Sequence, residues 1–329
     1  MSEASKNEKG LFLKKFNRLT SIPGISALLP LVVLIVFLTI TTDTFMTSDN
    51  VMNILRQAAV YAIIATGMTF VTLTAGVDLS VGSNLALCCV LCCNVLNATG
   101  NIFLAILVSI LTGAAVGIVN GTVIAFVKMP PFIMTLGSMY MARGLTLFIT
   151  NSKQVSFKGF DAFRFIGQGF LLGIPFPVYV FIVVGIIATI FLVFTSTGRQ
   201  IFAVGSNVDS ARLSGVRVNR ILILVYTLSG ICVGIASVVY LARLTAAQPT
   251  AGESYELEAI AATVVGGTSQ AGGEGSVVGS LIGAVIIAVI RNGLVLLGVG
   301  SYFTKIVVGL IIVLAVALDV TRRRWAANS

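Results

Sequence analysis

Residues 25–42, 102–127, 176–195 and 221–241 run almost without charge. Each is about 17 to 25 residues long, enough for an α-helix to cross a hydrocarbon core of about 30 Å. A chain carrying several such segments is committed to lipid as its solvent. The composition agrees: of 329 residues, 57% are hydrophobic and only 10% charged, where soluble domains hold roughly 25%. The other apolar stretches, cut at the same length, bring the total to about ten spans. They begin near Ile25, Met52, Ser83, Ile102, Phe132, Phe176, Ile221, Leu257, Ser276 and Phe303, the eighth being short. The expected fold is an all-α, polytopic transmembrane helix bundle.

Basic residues set its orientation. Lys and Arg number 21 against 12 Asp and Glu, a net charge of +9. The excess is divided in a way that points to a membrane rather than to nucleic acid. Lys6, Lys9, Lys14, Lys15 and Arg18 precede the first span, Arg199, Arg212, Arg217 and Arg220 fill 196–220, and Arg322, Arg323 and Arg324 follow the last. The positive-inside rule places all three groups in the cytoplasm, and two cytoplasmic termini require an even number of spans. The expected organisation is a cytoplasmic tail over 1–24, a membrane domain over 25–320 and a second tail over 321–329. Residues 151–175, with Lys153, Lys158, Asp161 and Arg164, become the one long external loop. The first span is expected to be retained, because a long charged leader precedes it and no small-residue cleavage site follows.

Little in the chain suggests covalent chemistry. Histidine is absent, which removes the usual proton shuttle and general base, so no enzymatic role and no cofactor is expected. Cys88, Cys89, Cys92 and Cys93 pair at helical i, i+4 spacing. They have no His or carboxylate beside them to complete a metal site, and thiols serve as small apolar residues in packed membrane helices. Gly266, Gly267, Gly272, Gly273 and Gly275 surround Thr268, Ser269, Gln270 and Glu274 but lack the Lys-Ser/Thr ending of a phosphate-binding loop. A tight connection between helices is expected there.

An internal repeat says more. Residues 74–82 read Thr-Ala-Gly-Val-Asp-Leu-Ser-Val-Gly and residues 250–258 read Thr-Ala-Gly-Glu-Ser-Tyr-Glu-Leu-Glu. Both run Thr-Ala-Gly and then an acid followed by Leu. In the ten-span topology the first faces the cytoplasm and the second faces outside, so the halves, about 52–150 and 221–320, form an inverted repeat, a recurring plan of transporters.

Residues 73–83 also resemble the signature of monosaccharide permeases of ATP-binding cassette importers, the ribose type being the best known, within the wider branched-chain amino acid and ribose permease superfamily. The second half agrees at Ala242-Arg243-Leu244, at 247–252, at Tyr255-Glu256-Leu257, at 259–262, at Gly266-Gly267-Thr268-Ser269 and at Asn292-Gly293-Leu294. The resemblance runs from about Phe45 to Asp319. It implies a bacterial inner-membrane subunit that pairs with a second permease subunit as a homodimer. It further implies a cytoplasmic ATPase and an external sugar-binding protein as partners, and a ribose-like monosaccharide as cargo. Residues 205–215 resemble the ATPase-contacting motif of such importers, Glu-Ala-Ala with Gly following, with Asp209 and Ser210 in its first two places. Asn207, Asp209, Ser210, Ala211, Arg212 and Leu213 are then expected to form a short helix turned back by Gly215, where a glycine accepts positive φ.

For the solute pathway the candidates are Asp78 and Ser80 from the first motif and Gln248 and Glu256 from the second, since such groups hydrogen-bond hydroxyls and polar groups at membrane depth face protein or water. The competing reading gives Asp78 and Glu256 a capping role at the third and eighth helices. Arg143 and Arg291 are further buried-looking charges, suited to pairing with a carbonyl or snorkelling. Lys153, Lys158 and Arg164 are the candidates for docking the external binding protein. Rival readings are a permease for branched-chain amino acids or nucleosides, and a secondary transporter, against which the scarcity of titratable groups counts.

Overall fold

A computed structural model describes residues 27–300 and scattered positions from 303 to 321. The basic groups at Lys6, Lys9, Lys14, Lys15 and Arg18 and at Arg322, Arg323 and Arg324, with the tails that carry them, lie outside the described residues.

The described residues are helical almost throughout. Among them come first α1 (Leu28–Thr41) and α2 (Ser48–Leu73), followed by α3 (Val81–Thr99), α4 (Ile102–Thr122) and α5 (Pro131–Thr150). A π-helical turn, Val123–Val127, extends α4. Next come α6 (Asp161–Gln168), α7 (Phe176–Phe194), α8 (Ser196–Ser206), α9 (Val208–Leu213), α10 (Val218–Leu244), α11 (Tyr255–Val265) and α12 (Val277–Leu296). The described positions from Phe303 to Thr321 are helical too. Strand among the described residues is confined to two short ladders: β1 (Val155–Ser156) pairs with β4 (Ala246–Ala247), and β2 (Phe170–Leu171) with β3 (Ile174–Pro175).

Among the described residues seven helices are long and apolar enough to cross a membrane: α2, α3, α4 with its π turn, α5, α7, α10 and α12. The polytopic helix bundle expected from sequence is therefore present. The expected span at Leu257 is α11, whose 11 residues rise only about 16 Å. It is half a span. A loop dips into the bundle ahead of it, so the local apolar pattern hides an interruption.

Helix α2 is the axis of the bundle, buried continuously from Ala58 to Leu73 and packed against α7, α10, α11 and α12. By contrast α4, α5 and α7 turn wide apolar faces outward, among them Phe103, Leu111, Ile133, Phe148, Ile187 and Phe194. A soluble protein would not tolerate such a belt, whereas lipid tails match it.

Helices α4 and α10 approach closely along a row of small residues. Ser109, Gly113, Gly117 and Gly121 recur every fourth residue on α4, and Gly230 and Gly234 face them on α10. A Cβ on Gly113 would lie 2.1 Å from the Gly230 carbonyl oxygen, and one on Gly117 would lie 2.2 Å from that of Tyr226. Ser109 Oγ closes the seam by donating to Gly234 O at 3.0 Å. Lipid supplies no hydrophobic force between helices, so backbone contact of this kind and the dispersion it permits hold the pair together.

The two ends of the bundle are distinct. At one end Gly273 N donates to Leu73 O at 2.9 Å, joining the glycine-rich connection to the end of α2, with Gly205 of α8 packed beside the same carbonyl. At the other, α6 and β1 meet the end of α10: Gln168 Nε2 donates to Arg243 O at 2.8 Å. Residues 151–175 and 196–220 thus lie at opposite ends of α7.

Gly113→Ala should force two backbones apart and lower the stability of the purified protein by about 3 kcal/mol. Gly137→Ala, on a face of α5 where no atom lies within 4 Å, should be neutral or slightly stabilising. Thermal unfolding in detergent compares the two.

Candidate translocation site where two broken segments meet

The Thr-Ala-Gly motifs were expected on opposite faces of the membrane. The two tripeptides lie toward opposite ends of the bundle, Ala75 against Gly272 at the end that carries Gly205 and Ala251 bonded to Gln248 beside β4, and the last residue of the first motif reaches the second inside the bundle. A Cβ on Gly82 would lie 2.1 Å from the Gly252 carbonyl oxygen and 2.6 Å from Glu256 Oε2, and one on Gly252 would lie 2.5 Å from Gly82 O. Two backbones in contact share one depth. The depth follows from Asp78, which Ser229 of α10 engages. At 1.5 Å per residue Ser229 lies about 16 Å from Val218 and about 22 Å from Leu244, near the middle of the span. Glycine is required at both contacts for space, and at Gly252 also for a φ of +68°.

Around the first motif lies a closed polar network. Asp78 Oδ1 accepts Ser80 N at 3.0 Å and Ser80 Oγ at 2.6 Å, and Oδ2 accepts Ser229 Oγ at 2.9 Å. Ser80 Oγ in turn accepts Asn120 Nδ2 at 3.0 Å, and Asn120 Oδ1 accepts Ser138 Oγ. Tyr226 OH donates to Val77 O at 3.2 Å. Asp78 is only 2% exposed, and both its oxygens are occupied. It organises the turn into α3 and ties α3 to α4, α5 and α10. The capping alternative raised from sequence is thus close to what is seen, although the N–H that Asp78 receives belongs to Ser80, just ahead of the helix.

The second motif is held by charge. Arg143 Nη1 reaches across from α5 to Pro249 O and, at 2.9 Å, to Ala251 O, pinning the re-entrant loop by its carbonyls. Two residues past Glu256, Glu258 is 2% exposed and pairs through Oε1 with Arg291 Nη2 of α12 at 3.2 Å. Arg291 Nη1 also hydrogen-bonds Tyr61 OH of α2, and Tyr61 packs on Tyr255 with ring centroids 4.9 Å apart. Both helix entries are thereby fastened by an acid, to hydroxyls and an amide in the first motif and to a guanidinium in the second.

Of the sequence candidates, Asp78, Ser80 and Glu256 are brought together at the centre, with Glu256 half-buried. Gln248 is not; it lies exposed beside β4, its carbonyl accepting Ala251 N. Asn120, Ser138, Ser229, Tyr61 and Glu258 were not singled out, although polar groups inside apolar spans are the signal that finds such residues. The cysteines fill the core: Cys88 Sγ donates to Asn84 Oδ1 and Cys89 Sγ to Ser237 O, each at 3.4 Å. A cavity of about 240 Å³ between α3, α4 and α5 reaches Ser138 but is otherwise lined by apolar side chains such as Leu87, Val116 and Met141.

At the far end of α7 lies α9. Asn207 Oδ1 caps it by accepting Ser210 N at 2.8 Å, Ala211 is buried, and Asp209 and Arg212 pair at 3.7 Å on the surface. Leu213 is 90% exposed. Gly215 has φ +83°, and the bonds Gly215 N to Arg212 O and Val216 N to Ala211 O turn the chain back, as expected of a glycine stop. At the opposite end Lys153 and Lys158 are exposed, while Arg164 is engaged with Asp161 at 3.4 Å and Gln168 at 3.3 Å.

A polytopic bundle with two interrupted segments meeting at mid-depth has the architecture of a membrane transport protein. Comparison with known proteins makes the class specific: residues 50–316 match the family described as branched-chain amino acid transport system / permease component. The chain belongs to that permease family. It is 45% identical over 297 residues to the ribose import permease protein of Escherichia coli K12, covering 89% of this chain and 92% of that one. The ribose import permease protein of Bacillus subtilis is 43% identical, over 88% and 91% of the two chains. The D-allose transport system permease protein of Escherichia coli K12 is 38% identical, over 88% of each. No solved structure matches.

Removing one partner of a buried ion pair strands the other. Arg291→Met, which leaves the Glu258 carboxylate buried, should cost about 3–5 kcal/mol. Glu258→Gln leaves a guanidinium that is 32% exposed and can reach water, so it should cost less than half as much. A loss below about 1 kcal/mol for Arg291→Met in detergent unfolding would show that the pair does not fasten α11.

Proposed function

We propose that this chain is the membrane-spanning permease of an ATP-driven importer for ribose or a closely related monosaccharide. The observation that carries the proposal is identity of 43–45% across nearly nine-tenths of the chain to ribose import permeases from organisms as different as Escherichia coli and Bacillus subtilis. The relatives named for D-allose and fructose, at 38% and 35% identity, support a sugar. The family description keeps branched-chain amino acids as the second reading of the cargo.

The architecture proposed has ten membrane segments, namely α1–α5, α7, α10–α12 and the helix through Phe303 and Thr321, in a bacterial inner membrane with both termini cytoplasmic. Two triplets form its inverted repeat: α2–α3–α4 and α10–α11–α12. In support, each long first helix packs on the third helix of the other triplet, α10 on α4 and α2 on α12, and each second helix follows a Thr-Ala-Gly re-entrant turn. The halves near 52–150 and 221–320 add one helix to each triplet, α5 to the first and the helix through Phe303 and Thr321 to the second, and α1 completes a membrane domain over 25–320.

Transport is then alternating access. The solute passes beside the meeting point of the motifs, where half-buried Glu256 faces it, Asp78 and Ser80 hold the first turn in shape, and Gln248 lies at the outer approach. A second copy of the permease completes the pore. An external binding protein delivers sugar to the end that carries Lys153, Lys158 and Arg164. A cytoplasmic ATPase grips α9, whose exposed Leu213 suits an apolar groove, and its closure moves α7 and α10 through α8 and Gly215, biasing a two-state packing. The subunit itself breaks no covalent bond.

Proteoliposomes holding this chain with its ATPase and binding protein should take up labelled ribose only with ATP inside and out of leucine competition. Uptake of leucine instead would move the cargo to the second reading. In the same system Gly215→Val, strained at φ +83° by about 1–2 kcal/mol, should insert normally yet lose at least ten-fold in ATP-dependent uptake. Near wild-type uptake would remove α9 as the coupling element.

A further inference from the structure

Residues 169–176 read Gly-Phe-Leu-Leu-Gly-Ile-Pro-Phe and contain no charge. They fold as the β2–β3 hairpin, with Phe170 opposite Pro175 and Leu171 opposite Ile174. The turn residues Leu172 and Gly173 have φ of +51° and +79°, a pattern that in water favours Asn-Gly or Asp-Gly. Leu172 instead places a branched apolar side chain at a left-handed position and leaves it 91% exposed. Around it Phe170, Leu171 and Ile174 are 40–49% exposed. Each choice is unfavourable for a tip surrounded by water.

The hairpin is braced. Phe176 N donates to Gly169 O at 2.9 Å, Tyr179 OH donates to Leu171 O at 2.9 Å, and the Arg56 guanidinium lies 4.6 Å over the Phe170 ring. An aromatic group with a phenol and an arginine at the end of a span is the composition of a membrane–water interface. The hairpin leads straight into α7, whose exposed row, including Val183, Ile186, Ile187 and Ile190, belongs to the lipid-facing belt. The apolar tip continues that belt, while the charges of the loop, Lys153, Lys158, Asp161 and Arg164, lie outside the tip segment.

We propose that the β2–β3 hairpin is a lipid anchor: its tip, Leu172 foremost, inserts into the headgroup–acyl boundary of the leaflet on that side. Insertion of this kind reaches roughly 5–10 Å below the headgroups. The anchor fixes the height of residues 151–175 over the bilayer, and with it the α6 and β1–β4 platform. A polar protein partner suits the tip poorly, since nothing on it offers a charge or a side-chain hydrogen bond.

The lone tryptophan of the chain, Trp325, makes a direct test available. In a Trp325→Phe background, Leu172→Trp is reconstituted as the full chain into phosphatidylcholine bilayers, with and without bromine at acyl positions six and seven. Lys158→Trp serves as the aqueous control. The anchor predicts blue-shifted Leu172→Trp emission, quenched at least two-fold by the brominated lipid and little by iodide, with the control behaving in the opposite way. Iodide quenching of Leu172→Trp without bromolipid quenching overturns it. Protection that appears only on adding the external binding protein, or only on dimerisation in detergent, overturns it in favour of a protein contact. Ile174→Trp on the same tip repeats the readout should Leu172→Trp fail to insert. None of these outcomes depends on the cargo or on ATP.

Discussion

The contact between the backbones of Gly82 and Gly252 organises the centre of this protein. Inside a bilayer, irregular backbone is tolerated only where protein or a water-filled path satisfies its polar groups. Two re-entrant turns that meet at mid-depth must therefore be enclosed, and the surrounding elements provide the enclosure. Arg143 takes two carbonyls of the second turn, Tyr226 takes one of the first, and Asp78 receives an N–H and two hydroxyls. A side chain larger than hydrogen at either glycine would separate the turns and leave those partners misaligned.

The enclosure is uneven in its chemistry. Neutral hydroxyls and an amide surround Asp78, so the first turn is held by short-range bonds that engage both carboxylate oxygens. The second is held by an ion pair between Glu258 and Arg291 whose cation is a third exposed. In a low-dielectric interior an ion pair with one partner near water responds to rearrangement differently from a sealed hydroxyl network. The α11 half-helix is short, and Glu258 and Arg291 join it to α12 while Tyr61 links it to α2. In a transporter that alternates between two packings, these attachments must hold in both states or exchange between them.

Close packing of α4 and α10 performs a different task. The Ser109, Gly113, Gly117 and Gly121 row removes side chains from the contact, so the helices touch through their backbones along much of their length. That makes the pair rigid, and it places Ser229 and Tyr226, which lie on the same stretch of α10, at a fixed depth against the first motif. Rigidity at the seam and interruption at the motifs are complementary: movement at the turns is useful only if their surroundings stay still.

The sequence by itself determined the solvent, the helical class and the identity of the motifs. Uncharged runs of spanning length and Gly at a turn act locally and leave a local record. Residues 208–215 were legible for that reason: a short helix and a glycine stop need only their own neighbours, while Asn207, expected inside the helix, caps it instead. The small-residue row of α4 was equally present as Ser109, Gly113, Gly117 and Gly121, but its meaning required the facing glycines of α10. What only the tertiary structure decided is that Gly82 of the first motif meets Gly252 of the second inside the bundle, that α11 is half a span, and that Asp78 is sealed while Glu258 carries an arginine. A hydrophobicity pattern reports the medium around a segment, and it cannot distinguish a segment that crosses from one that turns back inside protein, because both are buried among apolar neighbours. Close approach of distant backbones is set by the packing of the whole bundle.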